Sequence, residues 1–134
     1  MELLSTELAL ENGSVVYHFR DGDARLGDPS GDELIRTKIG VCPQHNDSLQ
    51  DDLTCRETLK LFAKLKGGLS ITEGQTPEEA LSAEVERRLS DVKFTSDEDC
   101  DKPVGTFSGG MKRKVLIAVA LLGDPEVGAS YNYC

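Results

Sequence analysis

The run Phe107-Ser108-Gly109-Gly110-Met111-Lys112-Arg113-Lys114 constrains this chain more than any other stretch. It sets a hydroxyl residue, two glycines and a mixed basic and apolar segment in the order that starts a helix. Ser108 suits the N-cap, where its oxygen accepts from a first-turn N–H. The glycines let a bulky anion approach the backbone, and the first-turn N–H groups carry the positive end of the helix dipole toward it. From Gly109 to Leu122 the helix turns strongly apolar after Lys114, as a helix entering a core does, and Gly123 and Pro125 close it. The exposed first turn is then the chemically useful surface. Gly-Gly before a helix is also a common structural turn, so spacing alone leaves both readings open.

Upstream, Lys38 to Val41 is a short apolar run ahead of Pro43, which suits a buried strand whose exit carries Gln44. α/β folds gather ligand-contacting groups at the carboxyl ends of strands. A neutral amide there accepts from a water, donates to a phosphate or offers its carbonyl oxygen weakly to magnesium. A loop hydrogen bond would serve Gln44 equally, and His45 reads as an ordinary polar residue. Thr54-Cys55-Arg56-Glu57 has capping-box spacing, with Leu59, Phe62, Ala63 and Lys66 following at helical intervals until Gly67-Gly68. Thr76-Pro77-Glu78-Glu79 opens another helix, with Leu81, Val85, Leu89 and Val92 on one apolar face. A small helical lobe follows, with Glu78, Glu79, Glu84 and Glu86 expected on its solvated face and Ser96 to Asp101 expected as an acidic loop. Near the start, Leu3 to Leu10 suits a short helix and Ser14 to Arg20 alternates as a strand does. Arg20 to Gly31, rich in Gly and Asp, reads as a loop, and its Asp21, Asp23 and Asp28 lack the spacing of a calcium loop.

The 134 residues bound one small domain, and the formal net charge of −9 argues against a nucleic-acid binder. Lys112-Arg113-Lys114 is too short a basic run to change that. The longest uninterrupted apolar run, Val115 to Leu122, falls well short of the ~20 residues that cross a bilayer. Met1-Glu2-Leu3-Leu4-Ser5 has no basic n-region, so a cytosolic setting is expected for the chain alone. Cys42, Cys55, Cys100 and Cys134 are widely spaced and read as free thiols.

The octet at Phe107–Lys114 resembles the signature motif of ATP-binding cassette (ABC) transporters, in the form seen in the A subfamily, whose members mostly move lipids. Ile39-Gly40-Val41-Cys42-Pro43-Gln44-His45-Asn46 is similar to the same family's Q-loop. Leu53 to Leu59, continuing to Lys66-Gly67, resembles the helix after it, and Leu121-Leu122-Gly123-Asp124-Pro125-Glu126-Val127 resembles the segment ahead of the family's Walker B strand. The resemblance runs from about Asp32 to Val127. It divides the chain into an unassigned segment 1–31, a partial nucleotide-binding domain 32–127 and a divergent tail 128–134.

The resemblance implies a partial P-loop NTPase fold of the ABC ATPase kind: an α/β remnant of the sheet core with a helical subdomain. It implies ATP and magnesium as cofactors, and as partners a second nucleotide-binding domain and a transporter's transmembrane domain, on the cytoplasmic side of a membrane. In the family two cassettes pair head to tail, and the signature of one closes over ATP held by the Walker A of the other. Carried over, Ser108, Gly109, Gly110 and Lys112 meet the γ-phosphate in trans, and Gln44 senses the γ-phosphate and magnesium. No Gly-x-x-x-x-Gly-Lys-Ser/Thr string occurs, and Gly128-Ala129-Ser130-Tyr131-Asn132-Tyr133-Cys134 stands where an apolar strand with an Asp-Glu pair belongs. An incomplete domain without turnover of its own is therefore expected, a truncated or mis-spliced product among the explanations. A non-catalytic module that docks on an intact cassette and modulates it is the alternative, and a chain with no stable fold is the third.

Overall fold

In the computed structural model, residues 13–43, 48–67 and 69–130 are described; Leu3 to Leu10, Gln44, His45 and Cys134 lie outside them. Val16–Phe19 (β1) and Gly22–Arg25 (β2) form an antiparallel hairpin in the register Val16↔Arg25 and Phe19↔Gly22. Tyr17 and Phe19 stack with ring centroids 5.9 Å apart, and Phe19 and Ala24 are buried.

The strand read at Ser14 to Arg20 is thus present as β1, but the loop read at Arg20 to Gly31 holds β2 and the start of a helix, Pro29–Lys38 (α1). Asp28 and Pro29 begin α1 by the usual preference for proline in the first turn. A Cβ on Gly31 would stand 2.9 Å from the backbone nitrogen of Arg25, so a glycine is what lets α1 lie against the hairpin. Ile35 of α1 closes a small core with Phe19, Ala24 and Ile39.

Ile39–Cys42 (β3) follows α1 directly, as the apolar run predicts, and pairs in parallel with Val127–Ser130 (β4), from Ile39↔Val127 to Cys42↔Ser130. The segment after Val127, Gly128-Ala129-Ser130, carries no large apolar residue yet extends as a strand, because ladder hydrogen bonds use only the backbone. A bond from the Glu126 N–H to the Lys38 carbonyl, 2.9 Å, sets the register just ahead of the pair.

The larger core lies among Cys55–Lys66 (α2), Pro77–Asp91 (α3) and Gly109–Leu121 (α5), with Leu59, Val85, Leu89, Val104, Val115 and Leu116 at its centre. Both capping boxes form: the Glu57 N–H donates to Thr54 Oγ1 at 3.2 Å and the Glu79 N–H to Thr76 Oγ1 at 3.2 Å. Gly67, at φ 69°, ends α2. Leu81, Val85, Leu89 and Val92 are buried, as their spacing predicts.

Two expectations for the lobe need correction. Ser96 to Asp101 is not a loop throughout: Asp97–Cys100 is a helical turn (α4), with Cys100 buried. Arg56 of α2 holds it, donating to Asp97 at 2.5 Å and to Asp101 at 3.0 Å while also pairing with Glu86. Glu84 is not on a wet face. Its side chain is 13% exposed and accepts from Arg88 at 2.8 Å, an i,i+4 pair on α3.

Candidate functional site at the start of α5

Phe107 is buried and stacks on Phe94 with centroids 5.6 Å apart, which fixes the point where the chain leaves the core. Ser108 follows as an exposed N-cap in extended backbone, φ −62° and ψ 160°, and its Oγ accepts from the Met111 N–H at 3.3 Å. The cap uses an oxygen lone pair, so the hydroxyl proton stays available to donate outward. Gly109 and Gly110 are exposed, and a Cβ on either would meet nothing within 4 Å among the described residues. Among the described residues no group accepts from their N–H donors, the unpaired donors of any helix start.

Lys112 is one turn in. Its Nζ pairs with Asp51 Oδ1 at 2.9 Å, so its charge is shared with the loop ahead of α2 rather than standing free. Arg113 donates to the carbonyl of Pro43, the residue before Gln44. Thus α5 is bonded to the segment that leads into Gln44, while Gln44 itself lies outside the described residues. Lys114 lies over the Phe94 ring, 5.6 Å from its centroid. The structure brings Ser108, Gly109, Gly110 and Lys112 together on one exposed helix end.

The charged side chains that hold the far end of α5 were not singled out from the sequence, although Glu84-x-x-x-Arg88 was legible as an i,i+4 pair. Arg88, 3% exposed, donates to Glu84, to Asp91 at 2.9 Å and to Asp124 at 3.3 Å. Carboxylate neighbours hold the guanidinium charged against the cost of its burial. Lys66 donates from α2 to the carbonyls of Leu122 at 2.5 Å and Ala120 at 3.5 Å. Burial pushes its amine down to about 8.

The exposed start of α5 fits one side of a phosphate group: two backbone donors, a hydroxyl and no Cβ in the way. Magnesium is different. Among the described residues no three His, Cys, Asp or Glu side chains cluster to hold a metal ion.

The ABC transporter family matches residues 1–128, so the chain belongs to that family. The match takes in the first 31 residues, which carry no motif legible by eye. Its curated relatives are of the A subfamily. They include ABC transporter A family member 2 of Arabidopsis thaliana, 44% identical over 69% of this chain and 8% of the relative. Another is ATP-binding cassette sub-family A member 7 of Mus musculus, 45% identical over 66% of this chain and 4% of the relative. The chain therefore spans under a tenth of the length of either relative. Among solved structures, the ATP-binding cassette MJ0796, a dimer in a post-hydrolysis state bound to ADP and Pi, superposes with a TM-score of 0.69 at 20% identity. It covers 96% of this chain, which in turn covers 52% of that cassette. That likeness establishes the fold, a partial ABC ATPase domain of the P-loop NTPase kind. No helix among the described residues is long and apolar enough to cross a membrane.

Proposed function

We propose that this chain supplies the signature half of a nucleotide site and works only opposite a second, complete cassette. The observation that carries this is the start of α5, where Ser108 caps the helix and leaves the Gly109 and Gly110 N–H groups exposed and unhindered. Ser108 donates to the γ-phosphate, Gly109 and Gly110 offer backbone N–H groups, and Lys112 adds charge at the edge. Gln44 has the Q-loop role of sensing the γ-phosphate and magnesium. ATP and magnesium are held chiefly by the partner.

Each neutral contact contributes about 1 kcal/mol net and a charged one about twice that, so two or three contacts give at best about millimolar affinity. ATP binding by the chain alone is therefore poor. With no Walker A string in the sequence and no Asp-Glu pair in the stretch Gly128 to Cys134 that follows Val127, the chain turns over no ATP by itself. Residues 32–127 carry the nucleotide-facing elements, with 1–31 and 128–134 flanking them. In the complete relatives the same elements drive transport, of lipid in the A subfamily.

The transmembrane domain of a transporter is the second partner. An apolar cavity of about 370 Å³ supports it, lined by Ile39, Val41, Phe62, Leu65 and Val119 and opening beside Pro43. Leu65 is 73% exposed there, at the rim of the apolar lining. The alternative reading, a module that docks on an intact cassette and modulates it without sharing nucleotide, uses the same groove.

Co-purification with a complete, hydrolysis-dead cassette, with and without ATP, separates these readings. ATP-dependent association that Ser108→Arg abolishes supports the shared site. Association indifferent to both ATP and Ser108→Arg overturns it in favour of the docking module.

A further inference from the structure

We propose that Lys66, Glu84 and Arg88 are positioning residues that set where the first turn of α5 stands, by clamping its opposite end to the helical lobe. This rests on the reading of α5 as the signature helix.

A helix ends with carbonyls that lack intrahelical partners. At the end of α5 the carbonyls of Ala120 and Leu122 are taken by Lys66, a cation placed where the helix dipole favours one. The next residue, Gly123, donates its N–H to Glu84 Oε1 at 3.0 Å. Asp124, at φ 55° in the left-handed region, accepts from Arg87 at 3.1 Å and from Arg88 at 3.3 Å. Every one of these side chains comes from α2 or α3. Arg88 is almost wholly buried, and Glu84 nearly so; they bond to each other, and their other bonds run to the turn that closes α5, to Asp91 and to Arg87. A charged network with a buried guanidinium at its centre contributes little net stability but specifies geometry where its partners have one arrangement.

The consequence is mechanical. α5 is 13 residues long, about 20 Å at 1.5 Å per residue, and a helix transmits an axial shift along its length. The clamp at Leu122–Asp124 therefore fixes the height of Ser108, Gly109 and Gly110 relative to the lobe. Whatever moves the lobe moves the phosphate-facing turn with it.

The test compares Arg88→Met and Glu84→Gln with Val85→Ala, which removes core volume on the same helix but leaves the clamp intact. Thermal melts first identify a temperature at which all are folded. ¹H–¹⁵N spectra of the full chain alone then follow the amides of Gly109 and Gly110. Magnesium-ATP affinity of the chain mixed with a hydrolysis-dead cassette is measured alongside. Displaced Gly109 and Gly110 resonances in Arg88→Met and Glu84→Gln, but not in Val85→Ala, are expected, with affinity in the mixture falling about five- to tenfold for the clamp variants alone. Arg88→Lys, which retains the charge, should recover part of both. If Val85→Ala moves these amides as far as the clamp variants, or the clamp variants leave them unmoved, the positioning role is overturned. If wild type itself shows no tighter ATP binding in the mixture, the shared-site reading fails while the amide shifts still decide the clamp. Should Arg88→Met not fold, Glu84→Gln, which keeps an acceptor for Gly123, carries the comparison.

Discussion

Gly40 and Gly128 face each other across the parallel pair, and a single methyl group on each should have opposite consequences. A Cβ on Gly40 would lie 2.9 Å from Pro125 Cγ and 3.1 Å from the Ala120 carbonyl carbon, and closer still to the Ala120 oxygen. On Gly128 it would meet nothing within 4 Å among the described residues. The end of α5 thus rests directly on the backbone of β3. Gly40→Ala must push that last turn away, because carbonyl oxygen and proline ring are not flexible side-chain ends. Overpacking of this kind costs about 1–3 kcal/mol. Weakening the Lys66 bond to Leu122 and the Glu84 bond to Gly123 adds about 1 kcal/mol for each bond lost. A total near 4 kcal/mol follows. With an unfolding entropy of about 2.1 cal/mol/K per residue, 134 residues give roughly 0.28 kcal/mol/K, so the melting temperature should fall by about 14 °C. Gly128→Ala should stay within about 2 °C of wild type, since an alanine in open extended backbone costs little and reduces unfolded-state freedom. Calorimetric melts of both variants decide it. A Gly40→Ala chain that melts within 3 °C of wild type, or a Gly128→Ala chain that loses as much, would refute the placement of α5 on β3.

Thr58 Oγ1 is buried with no hydrogen-bond partner among the described residues, so Thr58→Val, which keeps the shape, should raise stability by about 1 kcal/mol in denaturant titration; a loss of that size would show that the hydroxyl is satisfied. Lys66 has a folded pKa of about 8 against 10.5 for the free side chain, so the unfolded chain binds more protons between those values and stability rises with pH across that window. Discounted for partial exposure, the gain is on the order of 1–2 kcal/mol, and the difference between wild type and Lys66→Met from pH 7 to 9.5 should show it; parallel curves would contradict it. Burial pushes the Cys55 thiol up to about 12, so at pH 8 it should react with maleimide only as fast as the chain unfolds, and labelling at the rate of a free thiol would mean that α2 does not pack as described.

The parts of this fold that were legible in the sequence are those encoded locally. Thr54-x-x-Glu57 and Thr76-x-x-Glu79 name their own helix starts because both halves of each capping box lie within four residues. Ser108 marks the start of α5 in the same way, with Gly123 just beyond its end. What escaped was held by distant partners. β2 buries only Ala24 and has no alternating pattern to reveal it; pairing with β1 creates it. Gly31 looks like a loop residue until the Arg25 backbone stands against it. α4 reads as an acidic loop because Arg56, which anchors it, is 41 residues away from Asp97. Glu84 reads as solvated because the turn that buries it, Gly123-Asp124, follows a different helix. The first turn of α5 was legible in sequence, whereas the clamp on its last turn required the fold.

The measurement that bears most directly on the shared nucleotide site is isothermal calorimetry of magnesium-ATP with this chain alone, with a complete hydrolysis-dead cassette alone, and with the two mixed. No detectable binding by the chain alone, and tighter ATP binding in the mixture than by the cassette alone, is the predicted result. Micromolar binding by the chain alone, or a mixture no tighter than the cassette, contradicts a signature half-site acting in trans.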